Sequence, residues 1–163
     1  MARQVFYSFH YKPDNWRASQ IRNIGVVEGN RPASDNDWEE VTRGGDEAIK
    51  KWIATQLQGR SCSIILIGSE TAGRKWINYE IGEAWKNGLG ILGIHIHNIK
   101  NSDGKQCSKG TNPFSGLKLG EKSFDTVVKT YDPPHSESTQ VYQYIEKNLA
   151  EWIEEAIKIR KSQ

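Results

Sequence analysis

Cys62-Ser63-Ile64-Ile65-Leu66-Ile67 carries no charge and ends on four consecutive Ile or Leu residues. A short apolar run without polar alternation is the pattern of a strand covered on both faces, as in a parallel sheet. Gly68-Ser69-Glu70-Thr71-Ala72-Gly73 follows as a turn segment. From about Lys75 to Asn87, Ile77, Ile81, Ala84 and Trp85 fall on one helical face, closed by Gly88. Strand, loop and helix in that order are the building block of an α/β sheet.

The same alternation extends in both directions. Val5-Phe6-Tyr7-Ser8-Phe9 reads as a first buried strand, and Pro13-Asp14 opens a helix through about Arg22 with Trp16 and Ile21 inward. Residues 24–43 are polar and rich in Gly, Asn and Asp, a long loop of the kind that is more often functional than idle. From Asp46, Ile49, Trp52, Ile53 and Leu57 recur with helical spacing up to Gly59. Further strands are expected at Ile91–Ile96 and Thr126–Tyr131. A final helix from about Ser138 carries Val141, Ile145, Leu149, Trp152, Ile153, Ala156 and Ile157 on one stripe. The expected fold is one α/β domain, an open parallel sheet flanked by helices. Ligands of such sheets bind beyond the carboxyl ends of the strands, here the loops after Phe9, Ile67 and Ile96.

Composition narrows the function classes. The chain has 163 residues, the size of one domain, with 22 Lys and Arg against 20 Asp and Glu. That balance, with the charges scattered, gives no electrostatic case for nucleic acid. No apolar stretch approaches the roughly 20 residues that span a bilayer, and the N-terminus lacks a secretory h-region. Cys62 and Cys107 are the only cysteines and have no metal-type spacing. The expected compartment is the reducing cytosol, with two free thiols. Gly88-Leu89-Gly90-Ile91-Leu92-Gly93 matches G-x-G-x-x-G but leads from a helix into a strand, the reverse of a dinucleotide fingerprint. His95 and His97 have no Cys or carboxylate at ligand spacing, so no metal site is expected.

Glu80 is the residue that needs a reason. It lies only about 60° from Ile77 on its helix's apolar face, whereas Glu83 lies about 120° from that residue. A carboxylate so placed either pairs with a cation, Arg74 or Lys75 being nearest in sequence, or lines a cavity. Geometry of the sequence leaves both open.

Taken together, Val5-Phe6-Tyr7-Ser8-Phe9-His10-Tyr11, Ile67-Gly68-Ser69, Trp76-x-x-Tyr79-Glu80-Ile81, Gly93-Ile94-His95-Ile96 and Lys109-Gly110-x-Asn112-Pro113-Phe114 resemble the bacterial TIR-like (Toll/interleukin-1 receptor-like) proteins. Within them the chain is similar to the short TIR-like component of Thoeris antiphage defence systems. The resemblance covers roughly residues 4 to 115 and fades after Phe114. It implies a TIR-like (flavodoxin-like) three-layer sandwich. It also implies cleavage of the nicotinamide–ribose bond of NAD to make an ADP-ribose signal, often cyclic, with NAD as substrate and no resident cofactor. By that resemblance Glu80 is the catalytic carboxylate, and Phe6, Ser8, His10, Trp76, Tyr79 and Asn112 are substrate-binding residues. A downstream NAD-depleting effector and self-association through TIR surfaces are the implied partners. Asp35, Asn36, Asp37 and Trp38 fall where TIR domains carry a gating or association loop. The other expectation open to a TIR-like chain is a non-catalytic adaptor, which has no need of Glu80 in a cavity.

The implied chemistry suits these residue types. Breaking an N-glycosidic bond builds positive charge on the ribose, as in glycoside hydrolysis, and a carboxylate beneath the ring stabilises it. Nicotinamide leaves as a neutral base, so no general acid is needed. Phe6, Tyr7, Phe9, Trp76 and Tyr79 are candidate aromatic walls, although aromatics in such strands are most often core. Strand alternation puts Phe6, Ser8 and His10 on one face and Tyr7 and Phe9 on the other. Asn112 could hydrogen-bond a ribose or carboxamide, or simply open an Asn-Pro turn.

Overall fold

A computed structural model describes residues 3–24, 27–29 and 43–163. In chain order its elements are β1 (Arg3–Ser8), α1 (Tyr11–Arg22), β2 (Val27–Gly29), α2 (Gly45–Leu57), β3 (Cys62–Ile67), α3 (Lys75–Lys86) and β4 (Gly90–His95). A small hairpin, β5 (Lys118–Leu119) and β6 (Lys122–Ser123), precedes β7 (Lys129–Tyr131) and α4 (Ser138–Lys161). Short 3₁₀ turns at Pro113–Gly116 and Phe124–Thr126 flank the hairpin.

The main sheet has the order β2-β1-β3-β4-β7, and every pairing is parallel. All six residues of β3 are buried, because β1 and β4 flank it and helices cover both faces. On one face Val5, Tyr7, Ile64, Leu66, Leu92 and Ile94 pack under α1 and α4. On the other, Phe6, Ile65, Ile67 and Ile91 pack under α2, α3 and the 3₁₀ turns, through Ile53, Ile81 and Phe114. Strand alternation thus splits the core into two clusters, giving an α/β three-layer sandwich. α4 contributes the whole expected stripe from Val141 to Ile157. It lies so close to β4 that a Cβ on Gly90 would sit 2.6 Å from the backbone of Ala156. Helix–sheet contact, not phosphate binding, uses that glycine of the G-x-G-x-x-G match.

The order reverses direction between β1 and β3: the chain leaves β1 for β2 on one side, then returns to place β3 on the other. Loops at the carboxyl ends of two such strands diverge to opposite faces and leave a crevice between them. Here those loops begin at Phe9 and Gly68.

Three sequence expectations need correction. α1 begins at Tyr11, two residues before Pro13, and its buried positions are Asp14, Arg17, Ala18 and Ile21. Pro13 is tolerated anywhere in a first turn because the N–H it lacks has no helical acceptor there. Trp16 is 50% exposed; at 100° per residue it stands about 140° from Ile21, so the two cannot share an inward face. The strand expected over Thr126–Tyr131 is confined to Lys129–Tyr131, since Val127 and Val128 donate their N–H groups back to Phe124 O and close a turn. Within the expected loop 24–43, Val27–Gly29 is an edge strand on β1. Asp35, Asn36, Asp37 and Trp38 lie outside the described residues.

Candidate active site at the carboxyl edge of the sheet

The crevice between β1 and β3 is a cleft of about 1080 Å³. Its walls come from the loop and first turns after β1 (Phe9, His10, Tyr11, Lys12, Asn15) and from the β3–α3 loop and the start of α3 (Glu70, Ala72, Gly73, Arg74, Lys75, Trp76, Ile77, Glu80). Both segments sit where the topology requires a ligand crevice.

Glu80 lies at the floor of this arrangement. It is on the sheet-facing side of α3 beside Ile77 and Ile81, and only 8% of it is exposed. Neither nearby cation neutralises it. Lys75 reaches outward to Asp46 at 2.7 Å and lies over the Trp76 ring, while Arg74 has no ion-pair partner among the described residues. Burial drives the Glu80 carboxyl up to about 8, and the Ser8 hydroxyl opposes that rise. Ser8 stands at the carboxyl end of β1 on the α3 side of the sheet. Its oxygen is buried without a bond of good geometry, so it is close enough to bias Glu80 and still free to turn to a ligand.

His10 caps the start of α1 by position and lines the cleft. Its Nδ1 is buried and unpartnered. Burial and the Arg74 charge lower its pKa, and Glu70 opposes them. Trp76 lines the cleft with its ring edge-on to Tyr79, centroids 5.5 Å apart. The structure therefore brings Glu80, Ser8, His10 and Trp76 to one place.

The remaining expected binding residues sit elsewhere. Phe6 is fully buried one pleat below Ser8, among Ile53, Ile65 and Ile81. Tyr79 turns towards α2, where Lys50 approaches its ring at 5.8 Å. Asn112 is used internally: its Oδ1 accepts from Phe114 N at 2.8 Å and its Nδ2 donates to Thr130 Oγ1 at 3.2 Å. Those bonds open the 3₁₀ turn over β4 and β7, away from the cleft lining. The loop after Ile96 contributes nothing to the cleft, although topology alone had made it equal to the other two. Tyr11, Lys12 and Asn15 are cleft residues that sequence reasoning passed over. The available signal was the loop after Phe9, but placing the helix start at Pro13 hid the turn that carries them. Among the described residues, no three His, Cys, Asp or Glu side chains gather as a metal site. No described helix is long and apolar enough to cross a membrane.

A five-stranded parallel sheet of this order, with its ligand crevice between β1 and β3, is a doubly wound, flavodoxin-like α/β domain. Residues 6–101 match the family model described as "Thoeris protein ThsB, TIR-like domain", and the chain belongs to that family. It is 38% identical over 122 residues to a Bacillus cereus (strain MSX-D12) protein named "Putative cyclic ADP-D-ribose synthase ThsB1". That match takes in 72% of this chain and 64% of the relative's length. Among solved structures, the SEFIR domain of the IL-17 receptor B is similar over 98% of this chain and 97% of its own, at 12% identity and a TM-score of 0.49.

Proposed function

We propose that this chain cleaves the nicotinamide–ribose bond of NAD and closes the ADP-ribose on itself, making a cyclic signal for antiphage defence. One observation carries the reading: Glu80 is buried without a counter-ion at the floor of a cleft at the β1/β3 crevice. Membership of the ThsB TIR-like family and the name carried by the Bacillus cereus relative support it.

In this reading the C1′–N bond breaks and its electron pair leaves with nicotinamide, which departs neutral. Positive charge then develops on the ribose. The Glu80 carboxylate faces that charge, and it does so in a site of low polarity where the interaction is stronger than in water. Its ionisation is costly in the empty cleft. The cationic pyridinium of the substrate favours the ionised form, so substrate binding and ionisation support each other. Ser8 turns its hydroxyl to the carboxylate or to a ribose hydroxyl, and Trp76 supplies an apolar wall. Capture of the ribosyl cation by a nucleophile of the same molecule, with loss of its proton, gives the cyclic product, whereas water gives linear ADP-ribose. The product diffuses to an NAD-depleting effector, and the chain works in the cytosol, where self-association through TIR surfaces accompanies activation.

The test is nicotinamide release from NAD by wild-type protein and by Glu80→Gln. Each is assayed alone and with lysate of phage-infected cells, so that any trigger is supplied. Wild-type release that Glu80→Gln abolishes supports the reading. Equal release by both removes Glu80 from the mechanism.

A further inference from the structure

Two histidines lie outside the cleft, and the catalytic reading has no use for them. His95 ends β4 and His97 follows on the same face; they are only 5% and 9% exposed. Their rings meet edge-to-face with centroids 5.8 Å apart. The Nδ1 atom of each is buried without a hydrogen-bond partner. A neutral imidazole can leave one nitrogen as a bare acceptor, but an imidazolium is a donor at both. A proton on either ring therefore puts a charged donor where the closed structure offers no acceptor.

Residues 105–112, which form neither helix nor strand, run past this pair and are tied down around it. The Cys107 N–H donates to His97 O at 2.9 Å. Lys109 pairs with Asp132, just beyond β7, at 2.8 Å. Gly110 sits against the β3–α3 loop, where a Cβ would lie 2.0 Å from Gly68 O. Burial, the largest cause, holds both histidines below their ordinary pKa. Lys109 acts against a proton on either ring, His97 acts against one on His95, and Arg17, itself paired with Asp14, acts against one on His97. Asp132 is the one acid that favours it among the described residues, and Lys109 already holds that carboxylate.

We propose that residues 105–112 form an acid-released strap, closed over neutral His95 and His97 and lifted when either ring takes up a proton. Lifting it gives the new N–H group water as an acceptor and moves Lys109 away from the added charge. The strap seats on Gly68, at the root of one cleft wall, and Arg17 of α1 donates to Lys105 O at 2.9 Å at its other end. Its release thus loosens the backing of both segments that flank the cleft, whatever the cleft binds. Closure is fully favoured above the ordinary histidine value of about 6.5, and it loses that advantage as pH falls from there through the lowered values.

The experiment is amide hydrogen exchange of the full chain at pH 7.5 and 5.5, with rates corrected for the intrinsic effect of pH. Protection of the Cys107 N–H is expected to fall about tenfold at pH 5.5, while Ile65 in β3 keeps its protection. His95→Gln/His97→Gln, which cannot take up the proton, should protect Cys107 equally at both pH values. Lys109 is more than half exposed, so Lys109→Met leaves the fold intact. It frees Asp132 to receive a protonated ring, so Cys107 protection falls at pH 7.5 and the further loss at pH 5.5 shrinks. If the histidine pair proves necessary for folding, wild type and Lys109→Met decide. Unchanged Cys107 protection in wild type, an equal loss at Ile65, an acid response that survives without the histidines, or a full response in Lys109→Met overturns the strap. None of these outcomes bears on NAD cleavage, so the two readings stand or fall separately.

Discussion

The start of α1 and the start of α3 each bury a carboxylate at the same edge of the sheet, and the two are handled in opposite ways. Asp14 is 1% exposed, and its Oδ1 accepts from Arg17 at 2.9 Å. That guanidinium also donates to Ile99 O at 2.6 Å, to Lys105 O at 2.9 Å and to Pro13 O at 3.3 Å. Burial raises the Asp14 pKa, but the Arg17 bond and charge pull it back. Asp14 is thus one member of a clasp tying α1 to the loop after β4. Glu80 has only Ser8 to oppose its burial. A buried acid does not mark a site; a buried acid left without a cation, beside a cavity, does.

Breaking the clasp gives the largest effect. Arg17→Met leaves Asp14 buried and uncompensated and removes the donors of three carbonyls, so the loss is about 3–5 kcal/mol, read from the urea midpoint. Adding Asp14→Asn should recover part of it, and a loss no greater than for an exposed residue would show that Arg17 is not holding the fold. Glu80→Gln is the mirror image: nicotinamide release falls about 10²–10³-fold while the urea midpoint at pH 8 is not lowered. Loss of stability there would make Glu80 a structural acid like Asp14.

The pH dependence sharpens the contrast. With its folded pKa raised from 4.5 to about 8, Glu80 keeps its proton in the native state where the unfolded chain has released it. The Glu80 contribution therefore makes wild-type stability fall as pH rises between those values, and Glu80→Gln should lack this slope. If the ionised form does the work, kcat/KM for NAD rises with pH and levels off near 8, by about tenfold per unit on the acid side. A falling profile would mean that the protonated form is used.

Smaller effects follow. A Cβ at Gly68 would lie 2.1 Å from Asp14 Oδ2, so Gly68→Ala should cost about 1–3 kcal/mol in the same urea assay. At the far end of the scale, Arg3 and Glu154 make two 2.8 Å bonds but are about half exposed. Arg3→Met should leave the urea midpoint close to that of wild type, which separates pairing as such from pairing under burial.

The sheet was legible because β3 and the α4 stripe are governed by local pattern: a continuous apolar run and a helical repeat each have one sensible burial. Glu80 was legible as an anomaly, since its angle on α3 follows from sequence alone. Whether it was paired was not, because Arg74 and Lys75 could turn either way, and only the position of Asp46 on α2 draws Lys75 aside. The Asp14–Arg17 clasp was illegible for a related reason. Two charged residues three apart look like solvated surface, and their carbonyl partners at Ile99 and Lys105 are more than eighty residues away. At Asn112 the sequence offered both a ligand contact and an Asn-Pro turn, and the bonds that its side chain makes to Phe114 N and Thr130 Oγ1 depend on a turn and a strand that the residue alone does not announce.

Arg160 near the end of α4 donates to Trp85 O at 3.1 Å and lies over that indole, with its guanidinium carbon 4.5 Å from the ring centre. Trp85 is at the opposite end of α3 from Arg74, so residue 160 is anchored on the side of the molecule away from the cleft mouth. A fluorophore or a surface linker attached just beyond Arg160 would leave small molecules free access to the cleft from the other pole, which makes that position the natural handle for single-copy tests of what the cleft binds.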